Sequence, residues 1–159
     1  MRLTSLTILI AFGVAVSCSP APPRSSSEAE RGIDSLNSRL VRGYRDHDPG
    51  EYAALYTDSA VFEWPAIASV RGRAGMAAMA RENWATLKDM DLKLIVAARR
   101  ISGDHATEFG AFEQSWDSDS GRNTEFGRYA VALVRQNDGR WLMDHFLGFE
   151  DSTRVRARR

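Results

Sequence analysis

The sequence predicts an α+β domain, with three N-terminal helices packed on one face of a curved antiparallel sheet. Two observations carry this expectation. Apart from one short strand, apolar residues recur at helical spacing from about Glu28 to Leu87, and strand-like runs separated by turns fill the chain after Asp91. Helices gathered ahead of a meander, instead of alternating with its strands, give the α+β order.

The first helix starts at about Glu28, and Ile33, Leu36, Leu40, Val41 and Tyr44 form its apolar stripe. The DHDPG break at 46–50 ends it, and Glu51 to Thr57 makes a short second helix with Tyr52, Leu55 and Tyr56. Ser59 to Trp64 reads as a strand stopped by Pro65, since proline has no amide hydrogen for the ladder. After VRGRAG a third helix carries Met76, Met79, Ala80, Asn83 and Leu87 on one side. Strands follow at 91–102, 106–116, 124–136 and 140–150. The turns between them are Gly103-Asp104, DSDSGRN and Asn137-Asp138-Gly139, the last a strong hairpin signal.

With 159 residues, 43% of them hydrophobic, the chain suits one domain. Its 21 basic and 21 acidic residues balance, so no global field draws it to nucleic acid. The opening MRLTSLTILIAFGVAVSCSPAPP has Arg2, an apolar run from Leu6 to Val16 and then small residues, the order of a secretory signal at 1–17. That run is too short to span a bilayer. Ala15-Val16-Ser17-Cys18 resembles the bacterial lipobox, although Ala15 stands where leucine is usual. Cys18, the sole cysteine, then becomes the lipidated first residue; the alternative is an ordinary signal peptide cut nearby. Ser19 after it fits, by the same resemblance, an outer-membrane lipoprotein facing the periplasm. Residues 18–29 are rich in Pro and Ser and read as a flexible tether, 30–150 as the domain, and 151–159 as a basic tail.

LYTDSAVFEWP, RGRAGM and GRYAVALVRQNDGRWLM, with their Y-x-D-x-A and G-x-Y…D-G-x-W patterns, resemble the SnoaL-like branch of the nuclear transport factor 2-like superfamily. The resemblance covers about residues 30–150 and implies a cone-shaped fold. It leaves function open among isomerases, dehydratases, cyclases, dioxygenase subunits and proteins that only bind. In steroid isomerases of this fold the catalytic base precedes the strand-ending proline. Here that residue is Trp64, an N–H donor with no basic site. The isomerases' oxyanion-stabilising tyrosine aligns near Leu40. Isomerase chemistry of that kind is therefore absent, and Trp64 either walls a cavity or packs a sealed core.

Strand alternation then sorts the remaining side chains. With Trp64 inward, Phe62 shares its face and Glu63 points away. The resemblance puts Asp144 and Phe146 inward, leaving Trp141, Met143, His145, Leu147 and Phe149 on the outer face. Tyr129, Val131 and Leu133 face inward on the neighbouring strand. On the strand before it the inner set is Glu108, Gly110, Phe112, Gln114 and Trp116; a one-residue slip would turn Phe109, Ala111 and Glu113 inward instead.

Asp144 and Glu108, with the Tyr129 phenol, are thus the candidate catalytic groups; Phe62, Trp64, Phe112, Val131 and Phe146 are the candidate ligand-binding ones. Two acids in one cavity would raise at least one pKa and permit acid–base chemistry. The alternative is that an arginine of these strands, Arg99, Arg100, Arg128 or Arg135, holds each acid as a structural pair. His47, His105 and His145 lack metal-ligand spacing, DSDSGRNTE misplaces the glycine and final acid of a calcium loop, and no cofactor motif occurs.

Three functions follow. The first is an envelope lipoprotein binding a small apolar molecule without transforming it. The second is a SnoaL-like isomerase or dehydratase using Asp144, Tyr129 and Glu108. The third is a partner-binding module with a vestigial pocket. The apolar outer face of the last strand predicts a homodimer or a covering terminal segment. The Arg-rich tail is either solvated or touches anionic headgroups beside the lipid anchor.

Overall fold

The structure is a computed structural model describing residues 26–65 and 67–157. The expected signal segment, Cys18 and the tether up to residue 25 lie outside the described residues. Helix α1 (Ser26–Arg45) already includes the tether's last residues. Its buried stripe, Ile33, Leu36, Leu40 and Tyr44, lies against the sheet. Burying such a side chain contributes roughly 1.5–3 kcal/mol, which is what fixes an otherwise polar helix in place.

Helix α2 (Pro49–Ala54) is set by its cap. The Asp48 carboxylate accepts hydrogen bonds from the Gly50 and Glu51 amides, both at 2.9 Å, and Pro49 occupies the first turn. It ends earlier than the expected Thr57, because Tyr56 is drawn into strand β1 (Tyr56–Glu63), while the Leu55 carbonyl accepts the Met143 amide at 2.8 Å. A two-residue strand, β2 (Val70–Arg71), leads into helix α3 (Gly72–Trp84). Three long hairpin-linked strands follow, β3 (Lys88–Ser102), β4 (His105–Ser118) and β5 (Gly121–Arg135), and then β6 (Trp141–Arg156).

The sheet order is β2-β1-β6-β5-β4-β3. Of the five pairings among these six strands, four are antiparallel, but β1 runs parallel to β6, so the sheet is mixed at that seam. Sequence-distant strands that meet edge to edge need no hairpin, and their relative direction is free.

A bulge in β6 overturns part of the expected strand faces. Ala132 pairs with His145 while the next residue, Leu133, pairs with Met143, which leaves Asp144 as the extra residue. The bulge resets the alternation, so Trp141 and Met143 before it and Phe146 after it all face the helices. Trp141 and Met143 are each only 2% exposed and belong to the core, not to the outer face. Helix α1 crosses Trp141 at Gly32, where a Cβ would lie 2.7 Å from the indole Cδ1. The supposed tail also differs from expectation. Asn123 pairs with Val155 and Arg122 with Arg156, so residues 151–156 complete β6 instead of fraying.

Candidate functional site

Between the helices and the concave sheet lies a cavity of about 330 Å³. Its sheet side is built by four rings in sequence, Trp64, Phe62, Phe146 and Tyr129. The Trp64 and Phe62 centroids are 6.1 Å apart, Phe62 and Phe146 5.2 Å, and Phe146 and Tyr129 6.0 Å, with planes inclined by 2°, 3° and 9°. The parallel β1–β6 seam makes this stack, because Phe62 and Phe146 are register partners. Trp64 can close over the seam because Gly148 leaves the space. A Cβ at Gly148 would collide with the six-membered ring of the indole.

The helix side is a second aromatic group. Tyr44 of α1 and Tyr52 of α2 each meet Trp84 of α3 edge to face, at 5.5 and 5.2 Å. The Tyr52 and Tyr56 hydroxyls are 2.8 Å apart. Burial pushes the Tyr52 phenol up to about 12, a hydrogen bond with Tyr56 partly opposing it, and drives Tyr44 and Tyr56 upward too. These phenols are therefore neutral at ordinary pH.

Among the described residues, one acid faces this cavity. Glu125 of β5 is 8% exposed and lines the wall beside Gln114 and Trp116. Burial raises its pKa; a hydrogen bond from Gln114, its cross-strand partner, opposes that rise, and the charge of Glu150 adds to it. Its Oε1 has no hydrogen-bond partner among the described residues. An unpartnered buried acceptor is costly, so this oxygen is open to a hydrogen bond from water or from a bound group.

Glu108 holds a different position. It is completely buried behind Tyr129, off the cavity surface. Its Oε1 accepts from the Tyr129 hydroxyl at 2.8 Å and from Asn37 Nδ2 at 2.9 Å; its Oε2 accepts from Arg99 Nε at 2.7 Å. Arg99 in turn bonds Asp34 at 2.8 Å. This is the arginine-held carboxylate that the sequence offered as its structural alternative. Burial, followed by the Glu108 charge, raises the Tyr129 pKa, so Tyr129 presents a neutral phenol to the cavity.

Of the expected site residues, Phe62, Trp64, Phe112, Tyr129 and Phe146 line the cavity. Val131 is buried in the core beside Glu108 but does not reach the cavity surface. Asp144 is a correction: displaced by the bulge, it accepts a 2.7 Å hydrogen bond from Thr57 Oγ1 and shares no hollow with Trp64. Glu63 meets His145 Nε2 at 3.0 Å where both are well exposed. Among the described residues, no three His, Cys, Asp or Glu side chains converge to hold a metal. Glu125 lies outside the expected site, although it shares the parity of Tyr129 and Val131 on one strand. Extending that alternation by two steps finds it.

The SnoaL-like domain family matches residues 25–146. Among solved structures, a hexachlorocyclohexane dehydrochlorinase (LinA) type 2 is 17% identical with a TM-score of 0.72, covering 84% of this chain and 94% of its own. A ketosteroid isomerase-like protein from Erwinia carotovora atroseptica is 18% identical with a TM-score of 0.65, over 77% and 95% of the two chains. A protein from Novosphingobium aromaticivorans, provisionally assigned as a scytalone dehydratase, is 13% identical with a TM-score of 0.71, over 82% and 89%. At these identities the likeness is one of fold. No curated protein matches the chain.

Proposed function

Proceeding from a chain that belongs to the SnoaL-like branch of the nuclear transport factor 2-like superfamily, we propose that it binds a small, mainly apolar molecule inside its cone. The observation that carries this reading is the aromatic-walled cavity of about 330 Å³. Ligand pockets of small molecules start at roughly 300 Å³ and are lined mainly by apolar and aromatic side chains with few polar groups. A vestigial pocket would be filled by its own side chains, so the cavity also speaks against a pure interaction module.

Native mass spectrometry of the protein purified from its own host tests the binding. A retained small molecule is expected, and it should be missing from a Leu94→Trp variant, whose added ring intrudes into the cavity. An empty wild-type protein that also fails to take up any aromatic probe would end the reading.

Proton-transfer catalysis is a second reading, favoured by one observation: Glu125 is a buried acid with a free oxygen in an apolar cavity. Neighbours named for dehydrochlorination, isomerisation and dehydration fit it. The compound retained by Glu125→Gln separates the two. A binder gives no new compound, the variant holding the wild-type ligand or none, whereas an enzyme accumulates its unconverted substrate in the variant.

The cellular setting is proposed from the sequence alone. The lipobox-like segment ending at Cys18 supports a lipid anchor in the cell envelope. The outer sheet face supports a homodimer. Mass measurement of the intact protein tests the first through the added acyl chains and a Cys18→Ser variant that lacks them.

A further inference from the structure

We propose that Glu125 makes the cavity selective for organic amines, binding a protonated nitrogen on an aromatic or alicyclic body. This inference rests on the ligand-binding reading above and adds the ligand's chemical class.

The argument begins with charge. Among the described residues, Glu125 Oε1 lies buried without a partner, and the side-chain hydrogen bond on the carboxylate comes from the neutral Gln114. Among the described residues, neither an arginine nor a lysine is paired with it. The nearby acid Glu150 makes the local field more negative. Arg122, the cation whose charge reaches neighbouring Tyr44, is already engaged by Ser115 Oγ at 2.6 Å, the Asp89 carbonyl at 2.7 Å and Asp117 Oδ1 at 3.1 Å. Contrast Glu108, a carboxylate on the adjacent strand that is wholly satisfied by Arg99, Asn37 and Tyr129. The fold thus supplies a counter-charge to one buried acid and withholds it from the other.

The walls have matching chemistry. Tyr44, Trp84 and Trp116 line the cavity together with Glu125. Aromatic faces carry negative quadrupole potential and attract ammonium groups, most strongly where water is displaced. A carboxylate beside such faces accepts the N–H hydrogens that the rings cannot accept well. A charge-assisted bond of this kind is about twice as strong as a neutral one. The ligand's apolar body would then lie along the stack of Trp64, Phe62 and Phe146, where only hydrocarbon contact is offered.

Three probes with one ring system test the assignment by calorimetry near pH 7: 2-naphthylmethylamine, 2-naphthylmethanol and 2-acetonaphthone. The amine is expected to bind at least about tenfold more tightly than the alcohol, since hydrogen bonds to charged groups exceed neutral ones by that order. The Glu125→Gln variant is expected to lose this preference, the amine and the alcohol then binding within about threefold of each other. Equal binding of amine and alcohol, or tighter binding of the ketone, overturns the amine selectivity and leaves the binding cavity standing. Failure of all three overturns both. The wild-type comparison decides the matter even if the variant folds poorly.

Discussion

The Tyr129 hydroxyl meets the Glu108 carboxylate at 2.8 Å, and that carboxylate has no exposure to solvent. A cavity wall is therefore anchored from behind by an acid that also takes bonds from Asn37 and Arg99. The arrangement joins α1, β3, β4 and β5 through one side chain. Removing it strands three donors at once. Glu108→Ala is expected to cost about 3–5 kcal/mol, the range for breaking a buried pair. Tyr129→Phe, which removes one bond, should cost about 1–2 kcal/mol. Urea unfolding measures both, and a Glu108→Ala loss no larger than that of Tyr129→Phe would contradict the anchoring role.

Glu125 sets a pH dependence of known sign. Burial raises its pKa in the folded state above the ordinary glutamate value. The folded chain then holds the proton more tightly than the unfolded one. The stabilising linkage is fully present below the unfolded pKa and is lost as pH rises through the folded value. Glu125→Gln removes the ionisation. At neutral pH the variant should melt higher than wild type by about 3–5 °C, on the order of 1 kcal/mol. The two curves should converge near pH 4, in the range of an unperturbed glutamate. Parallel melting curves across that range would place the ionised carboxylate in a better-solvated setting than its burial indicates.

How far the sequence could be read depended on strand alternation being unbroken. On β4 the chosen phase, with Phe112, Gln114 and Trp116 inward, agrees with their place on the cavity wall, and on β5 the same holds for Tyr129. Both strands pair without a register shift along β4–β5. Alternation failed on β6 because the bulge at Asp144 inserts one residue, and nothing in WLMDHFLGFE marks it. The bulge follows from joining Met143 to Tyr56 and Leu55 on one side and Leu133 on the other, contacts that link distant parts of the chain. The helix-side box was invisible for a related reason. Tyr44, Tyr52 and Trp84 sit on three different helices, and helical spacing places each on an apolar face without saying which faces meet.

The outer sheet face offers a test of self-association. Phe109, Ala130 and Leu147 are successive register partners across β4, β5 and β6, and Phe109 is 44% exposed. Ile95 and Phe149 are also exposed. A homodimer through this face would cover them. Because Phe109 is already half in solvent, Phe109→Glu should change monomer stability by no more than about 0.5 kcal/mol. Light scattering coupled to size exclusion is expected to give a dimer mass for wild type and a monomer mass for the variant. A monomeric wild type at tens of micromolar, or a variant that stays dimeric, removes this face as the interface.

Gly148 tests whether the shape of the cavity depends on Trp64. The backbone there does not need glycine's freedom, since Gly148 is not among the residues with positive φ. What it needs is the missing Cβ, because that atom would strike the Trp64 indole. Gly148→Ala should therefore push Trp64 out of its stack with Phe62, at a cost of about 1–3 kcal/mol, as for other over-packed sites. The displaced ring also loses its contact with Phe112, whose centroid is 5.7 Å away. Tryptophan fluorescence, with Trp64→Phe used to isolate that ring's contribution, is expected to shift toward a more solvent-exposed emission. Probe affinity should fall with it, as one wall of the cavity is gone. If emission and affinity both match wild type, the sheet has yielded instead of the indole, and Trp64 is held by more than the gap at Gly148.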